Sequence, residues 1–403
     1  MVHRIISISK KIFVLLLISV IMLICLELSL KVFMPNRFFW VGTTDRSVAP
    51  NVAVLGWAFK PNSTVKQLDP DTGKLYVSKI NSAGWKDVEH SIENKNGNFR
   101  ILLLGDSHTF SMVPIKDTYS RILEKMLNDS GMKTEVISMG YGGWGTDHEL
   151  VALKNYGLAY KPDLVIVQFD TNDLTDNISI NDFTKYKPFR FEVVSGQLIC
   201  NSVPVTAMDQ KPPYNSAIIY CFNIAKHNIK TKIKQILGRN DKCGVNNPIA
   251  TWWAKHPINP TDRYFVYHST DKGSQEIEYA WLVYEKIIEQ MNSLSKSSGA
   301  SLCIFNEVDD SVLAWDKTKH RVTQDASGNI GVLWGGVYYP MDHSRHVKRL
   351  KEICLRQSVL LIPNKRSYTR FANDPHPNAD GNMRMAEDIY DFLVSNLNRT
   401  TQY

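Results

Sequence analysis

The sequence is poor in cysteine and has no spacing of cysteine and histidine that would hold a metal. Its six cysteines, Cys25, Cys200, Cys221, Cys243, Cys303 and Cys354, are spread over 403 residues. None falls into the paired pattern of a zinc site, so neither a metal nor another cofactor is expected. Basic residues are not interleaved with aromatics, and the net charge of +7 is mild. That charge tolerates an anionic surface but lacks the footprint of a nucleic-acid binder. No internal repeat is present, which excludes a solenoid or propeller. Long apolar runs are confined to the first 34 residues. The remaining composition, 43% hydrophobic and 22% charged overall, is that of an ordinary globular chain. The length suits one large domain with insertions or two small ones.

Residues 1–34 stand apart. Arg4, Lys10 and Lys11 precede residues 12–26, which are apolar apart from Ser19. Glu27 interrupts, and residues 28–34 continue apolar apart from Ser29 and Lys31. As a helix, this stretch reaches the length of a bilayer, with Glu27 and Lys31 near one interface. No small-x-small cleavage site follows, so a retained transmembrane anchor is favoured over a removed signal peptide. Ile24 is too large for the residue before a lipid-bearing Cys25. The basic end predicts an N-in orientation, which places the rest of the chain outside the cytoplasm.

From residue 100 strands and helices alternate. Apolar runs at 101–104, 136–139, 164–169, 302–306 and 359–362 predict five strands. Helical patterns fall at about 119–128, 146–157, 274–294, 344–356 and 380–397. Such alternation implies a parallel sheet with helices on both faces, and near-continuous apolar strands are what a doubly covered sheet requires. Thr146 with Glu149 reads as a capping box that starts a helix. Ahead of this region, residues 35–99 form a linker with a hairpin over 65–79, turning at Asp69-Pro-Asp-Thr-Gly73. Trp85 is expected to pack on the main domain.

Residues 178–272 break the alternation. A hairpin is predicted over 189–205, turning at Ser195-Gly196, and a helix over 218–237 with Lys226, Lys230 and Lys234 on one face. That face reads as solvated rather than as a membrane contact. Trp252, Trp253, Tyr264, Phe265 and Tyr267 follow. So long a stretch without a βα unit is read as an inserted cap, and a second aromatic excursion runs over 309–343. Cys303 and Cys354 sit in apolar patterns as small buried hydrophobes. Cys200, Cys221 and Cys243 fall in the insertion, where two could pair in an oxidising compartment; spacing does not choose which.

The chemistry concentrates at strand ends. Residues 100–110 read Arg-Ile-Leu-Leu-Leu-Gly-Asp-Ser-His-Thr-Phe. A serine on a glycine turn straight after a buried strand presents its hydroxyl at the carboxyl edge of the sheet, where open α/β sheets bind ligands. The second strand runs into Ser138-Met-Gly-Tyr-Gly-Gly-Trp-Gly-Thr146, whose glycines allow close backbone approach. The third ends in Asp170-Thr-Asn172-Asp173. Asn373-Asp-Pro-His-Pro-Asn378 precedes the last helix. Asp106 and Asp173 are expected to hold loops by accepting backbone N–H bonds.

In these four blocks the chain resembles the SGNH hydrolases, the GDSL esterase/lipase superfamily, over about residues 96–180 and 273–397. The resemblance implies a flavodoxin-like three-layer α/β/α sandwich. It implies Ser107 as nucleophile and His376 as base. It also implies an oxyanion hole from the backbone N–H groups of Ser107 and Gly143 with the side-chain amide of Asn172. Two positions depart from the family pattern. The triad aspartate usually stands three residues before the histidine; here that place holds Asn373, and the nearest carboxylate is Asp374. Either Asp374 reaches the ring or a neutral group orients a Ser–His dyad. Asp170 stands where the third block usually has glycine, and its carboxylate could raise the histidine pKa or disfavour an anionic substrate.

The expected protein is a membrane-anchored serine esterase acting on O-acyl groups of a carbohydrate or lipid, with no nucleic-acid partner. An O-acyltransferase acting on a cell-surface glycan would use the same residues. A non-catalytic protein of this fold is the third reading, with Asn373 and Asp170 marking a decayed site.

Overall fold

The computed structural model describes residues 2–33, 48–49, 54–178, 187–203, 275–309, 322–324, 330–334, 337–340, 342 and 344–400. The chain begins with helix α1 (Val2–Phe33). A short antiparallel pair, β1 (Val48–Ala49) and β2 (Ala58–Phe59), precedes the hairpin β3 (Thr64–Leu68) and β4 (Leu75–Lys79). Then come β5 (Phe99–Gly105), α2 (Ser107–Phe110), α3 (Tyr119–Asp129), β6 (Thr134–Gly140), α4 (Thr146–Asn155), β7 (Leu164–Phe169) and α5 (Asp173–Ile178). The hairpin β8 (Phe189–Val194) and β9 (Gln197–Ser202) leads toward α6 (Gln275–Ser297) and β10 (Ser301–Asn306). Three short antiparallel strands follow, β11 (Val322–Gln324), β12 (Ile330–Trp334) and β13 (Val337–Pro340). The chain closes with α7 (Arg345–Gln357), β14 (Leu360–Ile362) and α8 (Ala379–Thr400).

Five strands make the central sheet, in the order β14-β10-β7-β5-β6, and every neighbouring pair is parallel. Counted along the chain this is the 2-1-3-4-5 order of flavodoxin-like sheets, and the switch point lies between β5 and β7.

Strand alternation explains the layers. Successive side chains of a strand point to opposite faces. Ile101 and Leu103 therefore pack with Tyr119, Leu123 and Leu127 of α3 and with Met385 and Ile389 of α8. Leu102 and Leu104 pack on the other face with Leu150 and Leu153 of α4 and with Ile287 and Met291 of α6. All four β5 residues are fully buried, each contributing roughly 2 kcal/mol relative to exposure. Among the described residues both faces are covered, which leaves the strand ends as the place for a site.

Several expectations change in detail. Thr146 is not the N-cap of α4. Gly145 holds that place with no side-chain cap, and Asn177 Oδ1 accepts from Asp147 N at 2.9 Å instead. With Asn177 taking the Asp147 N–H, Thr146 falls inside the first turn, and glycine suits position 145 because a Cβ there would stand 2.8 Å from Asn177 Oδ1. Trp85 packs edge-on against Trp144 and Tyr156, as a structural residue. Cys303 and Cys354 are buried, and Cys200 is exposed with a free thiol. Cys221 and Cys243, the helix expected over 218–237 and the aromatic group at 252–267 lie outside the described residues. At the N-terminus, the side chains of Phe13, Leu16, Leu17, Ile21 and Met22 on α1 are exposed. Among the described residues no helix is long and apolar enough to cross a membrane.

Candidate active site

Two strand-end glycines make room for the turn that carries Ser107. Gly105 and Gly140 face each other at the ends of β5 and β6. A Cβ on Gly105 would collide with Thr109 and Gln168, and one on Gly140 would lie 2.8 Å from Thr109 Cβ and 2.9 Å from Asp106 O. Because both lack side chains, residues 106–110 fold back on the sheet as the short helix α2. Asp106 caps it, its Oδ1 accepting from His108 N at 2.8 Å and from Gln168 Nε2 at 3.2 Å. Ser107 is thus the first residue of the helix, half-buried at the carboxyl edge.

His376 reaches this edge from the loop before α8. Phe371 N donates to His376 O at 3.2 Å and Asn378 N to Thr369 O at 3.0 Å, which closes the loop. The His376 Nε2 atom lies 2.9 Å from Ser107 Oγ. On the other side of the ring, Nδ1 bonds Asp374 Oδ1, which also accepts from His376 N at 2.9 Å. Burial pushes the Asp374 carboxyl up, but the His376 hydrogen bonds and charge outweigh it and hold the carboxyl below its ordinary value. An ionised Asp374 favours the tautomer with the proton on Nδ1, which leaves the Nε2 lone pair to accept from the serine hydroxyl.

Asn373 does not touch the ring. It is exposed, and its Nδ2 donates to Asp71 Oδ1 at 3.3 Å. Of the two sequence alternatives, the structure brings Asp374 to His376 and turns Asn373 away.

The glycine loop runs beside Ser107. A Cβ on Gly142 would come within 4.0 Å of Ser107 Cβ. Gly143 has φ +77°, in the left-handed region open to glycine. Trp57 Nε1 donates to Gly142 O at 3.1 Å and fixes this loop from the N-terminal side. Asn172 lies at the end of β7, and its Nδ2 donates to Asp176 Oδ2 at 2.8 Å. The contact from Nδ2 to Trp144 O is 3.4 Å, at the outer limit of a hydrogen bond. The amide that the sequence assigns to an oxyanion is therefore held by Asp176, with one hydrogen only weakly engaged.

Beneath Ser107 lies a buried group of charges that sequence reasoning missed as a unit. The His108 ring meets the His376 ring edge-on, with centroids 4.9 Å apart. Its Nδ1 lies 3.0 Å from Glu307 Oε2 and its Nε2 3.4 Å from Asp170 Oδ2. Arg370 lies 3.2 Å from Glu307 and 3.1 Å from Asp309, and donates to Pro375 O at 2.6 Å. Burial and the neighbouring Asp170 push the Asp106 carboxyl up to about 6. Burial also drives Glu307 well above the usual carboxyl range, against the pull of Arg370. Burial pushes Asp170 the same way, but His108 and its hydrogen bonds keep it low. The extra carboxylate of Asp170 thus serves His108 directly rather than His376. Ligand atoms of Asp106, His108 and Asp170 lie within 4.8 Å of one another, a set that could hold a cation, although the His108 ring already sits between two carboxylates. The available signals were a second histidine beside Ser107 and a carboxylate just past β10.

The family model for GDSL-like Lipase/Acylhydrolase matches residues 101–389. No curated protein matches the chain. Among solved structures, a family 3 carbohydrate esterase of Clostridium thermocellum has 11% identity and a TM-score of 0.37, covering 75% of this chain and 98% of that one. A carbohydrate acetylesterase family member from Sinorhizobium meliloti has 10% identity and a TM-score of 0.35, covering 74% and 99%. A lipase/acylhydrolase from Enterococcus faecalis has 12% identity and a TM-score of 0.34, covering 73% and 95%. These likenesses are too distant to assign a substrate. The family match spans most of the chain, including all four sequence blocks, and by it this protein belongs to the GDSL-like lipase/acylhydrolases and is an ester-hydrolysing enzyme.

Proposed function

We propose that this protein is a serine esterase that works through an acyl-enzyme on Ser107. The observation that carries the reading is the chain of contacts from Ser107 Oγ to His376 Nε2, 2.9 Å long, and on through Nδ1 to Asp374. A serine hydroxyl is a weak nucleophile until a base takes its proton. His376 takes it as Oγ attacks the ester carbonyl carbon, and Asp374 balances the imidazolium that forms. The departing alcohol then takes the proton from Nε2. Water repeats the sequence on the acyl-serine and releases the acid. The developing oxyanion is met by the N–H groups of Ser107 and Gly143 and by the weakly engaged hydrogen of Asn172. Each such donor is typically worth about 3–4 kcal/mol in the transition state.

The substrate class, an O-acylated carbohydrate or lipid, is motivated by where the chain would sit and by nothing more specific. Exposed apolar side chains surround α1, from Phe13 at 66% to Met22 at 67% exposure. Apolar side chains exposed in this number favour cover by protein or lipid. With α1 as a membrane anchor and its basic end inside, the site faces O-acylated carbohydrate or lipid outside the cytoplasm. Deletion of residues 1–34 is expected to move the protein from the membrane to the soluble fraction; an unchanged fraction contradicts the anchor.

The activity test is hydrolysis of a short-chain chromogenic acetate by the full chain. Turnover that disappears in Ser107→Ala supports the reading. Turnover that survives that change removes it.

A further inference from the structure

We propose that Asp71, on the hairpin before the family-matched region, is a positioning residue that holds the His376 loop in register, and that Asn373 is asparagine because it must donate to Asp71. The inference rests on the reading of His376 as the base.

The hairpin is built to present Asp71. In the turn between β3 and β4, Asp69 Oδ1 accepts from Asp71 N at 3.0 Å and from Thr72 N at 2.8 Å. Asp69 O accepts from Gly73 N at 2.8 Å, with Gly73 at φ +68°. The local N–H groups are thus satisfied by Asp69, and the Asp71 carboxylate is left to point away from its own turn. It crosses to the catalytic loop. Its Oδ2 accepts from Ala372 N at 2.9 Å, its Oδ1 from Asn373 N at 2.9 Å, and Oδ1 also from Asn373 Nδ2 at 3.3 Å. Three donors, one from Ala372 and two from Asn373, converge on one carboxylate, and Asn373 stands one residue before Asp374 and three before His376.

The other end of the hairpin is fixed to the serine side. Gln67 Nε2 donates to Ser111 O at 3.3 Å. Beyond β4, Lys86 Nζ donates to Ser111 O at 2.8 Å and to Val113 O at 2.7 Å. Val65 is buried beside Phe59 and Ile80, with Phe110 of α2 against them. The segment therefore spans from the residues just after Ser107 to those just before His376. The family match begins at residue 101, so the strap lies outside it.

This geometry inverts the repair suggested by family pattern. An aspartate at 373 would face Asp71 at about the present 3.3 Å spacing and repel it. Asp374 already occupies Nδ1 of His376, so a second carboxylate gains nothing there. Loosening the loop shifts Nε2 relative to Ser107 Oγ, and a misplacement on the order of 1 Å costs on the order of 100-fold in rate.

The test compares wild type, Asp71→Ala, Asn373→Asp and the double variant Asp71→Asn/Asn373→Asp in acetate hydrolysis. Asp71→Ala and Asn373→Asp are expected to lower kcat by about 10–100-fold with KM nearly unchanged. The double variant restores one donor–acceptor pair across the gap and is expected to regain at least roughly 5-fold over either single change. Thermal midpoints should stay within a few degrees, because Asp71 and Asn373 are exposed. A merely structural contact would not produce the rescue. A gain in Asn373→Asp, or wild-type kcat in Asp71→Ala, overturns the proposal. Amide hydrogen exchange reads the strap without catalysis: Ala372 and Asn373 should be protected in wild type and not in Asp71→Ala. Lack of protection in wild type overturns the strap even if hydrolysis is normal. Protection in a chain that hydrolyses no ester upholds the strap and removes only the esterase reading.

Discussion

At the amino ends of its strands the sheet buries Arg100, and at the carboxyl ends it buries Asp106, Asp170 and Glu307. The first is matched group for group. Arg100 Nε donates to Glu135 Oε2 at 2.8 Å, and its two terminal nitrogens donate to the carbonyls of Ile92, Tyr160 and Ser91 at 2.6–2.8 Å. Nearby, Asp87 takes Arg121 at 3.0 Å and His90 at 3.1 Å. At the carboxyl end the carboxyl groups are not matched in this way. Asp106, Glu149, Asp173 and Glu307 are all pushed up, in each case first by burial. All four are raised further by neighbouring carboxylates. Buried charge that is fully paired holds a structure together, whereas burial that raises carboxyls in this way favours their neutral, protonated form. The amino end is thus held as scaffold, and the chemistry proposed for Ser107 and His376 lies at the other end of the same sheet.

The contrast breaks most sharply at Ser107. Ser107→Ala should lower ester hydrolysis by on the order of 10⁴-fold or more, with unfolding unchanged. Next, Asp374→Asn should cost up to about 10⁴-fold in kcat, measured on the same ester, again with little change in stability. At the other end the signs exchange. Arg100→Met leaves Glu135 with His90 alone and strips the carbonyls of Ile92, Tyr160 and Ser91 of their donor, and should cost about 3–5 kcal/mol in denaturant unfolding. The folded fraction of that variant should keep its kcat.

A smaller effect sharpens the comparison, because not every charge near the site is there for chemistry. His148, in α4, is fully buried, stacked on Trp144 with centroids 5.5 Å apart and close to Trp57 at 4.4 Å. Burial holds its pKa down to about 4, from an ordinary 6.5. The folded chain therefore binds fewer protons than the unfolded chain between those values. Its contribution is complete above about pH 6.5 and is lost as pH falls toward 4. Between pH 7 and pH 5 this amounts to about 2 kcal/mol. His148→Phe should be less destabilised over that interval by this amount, read as the difference of two unfolding curves.

Much of this was legible in the sequence. The five strands stand where the apolar runs placed them because a doubly covered strand must be apolar on both faces, a pattern that needs no tertiary information. The hairpin over 64–79 was equally plain from its Asp-Pro-Asp-Thr-Gly turn. Ser107 and His376 could be named because four blocks in order resemble the SGNH pattern; their place at strand and helix ends alone would not have singled them out. Local signals failed where a distant partner decides. Thr146 has the right neighbours for a cap, but Asn177 supplies the acceptor. Asn373 and Asp374 are adjacent in sequence, and only Asp71, some 300 residues earlier, tells which one faces the ring. Glu307 and Arg370 come together across the fold, so no spacing could pair them.

The most direct test of the account is labelling by a serine-reactive phosphonate, with the adduct located by mass spectrometry in wild type and in Asp374→Asn. The account predicts one adduct, on Ser107, that forms at least about 100-fold more slowly in the variant. An adduct on another residue, or equal rates in the two proteins, would contradict the claim that His376 and Asp374 activate Ser107.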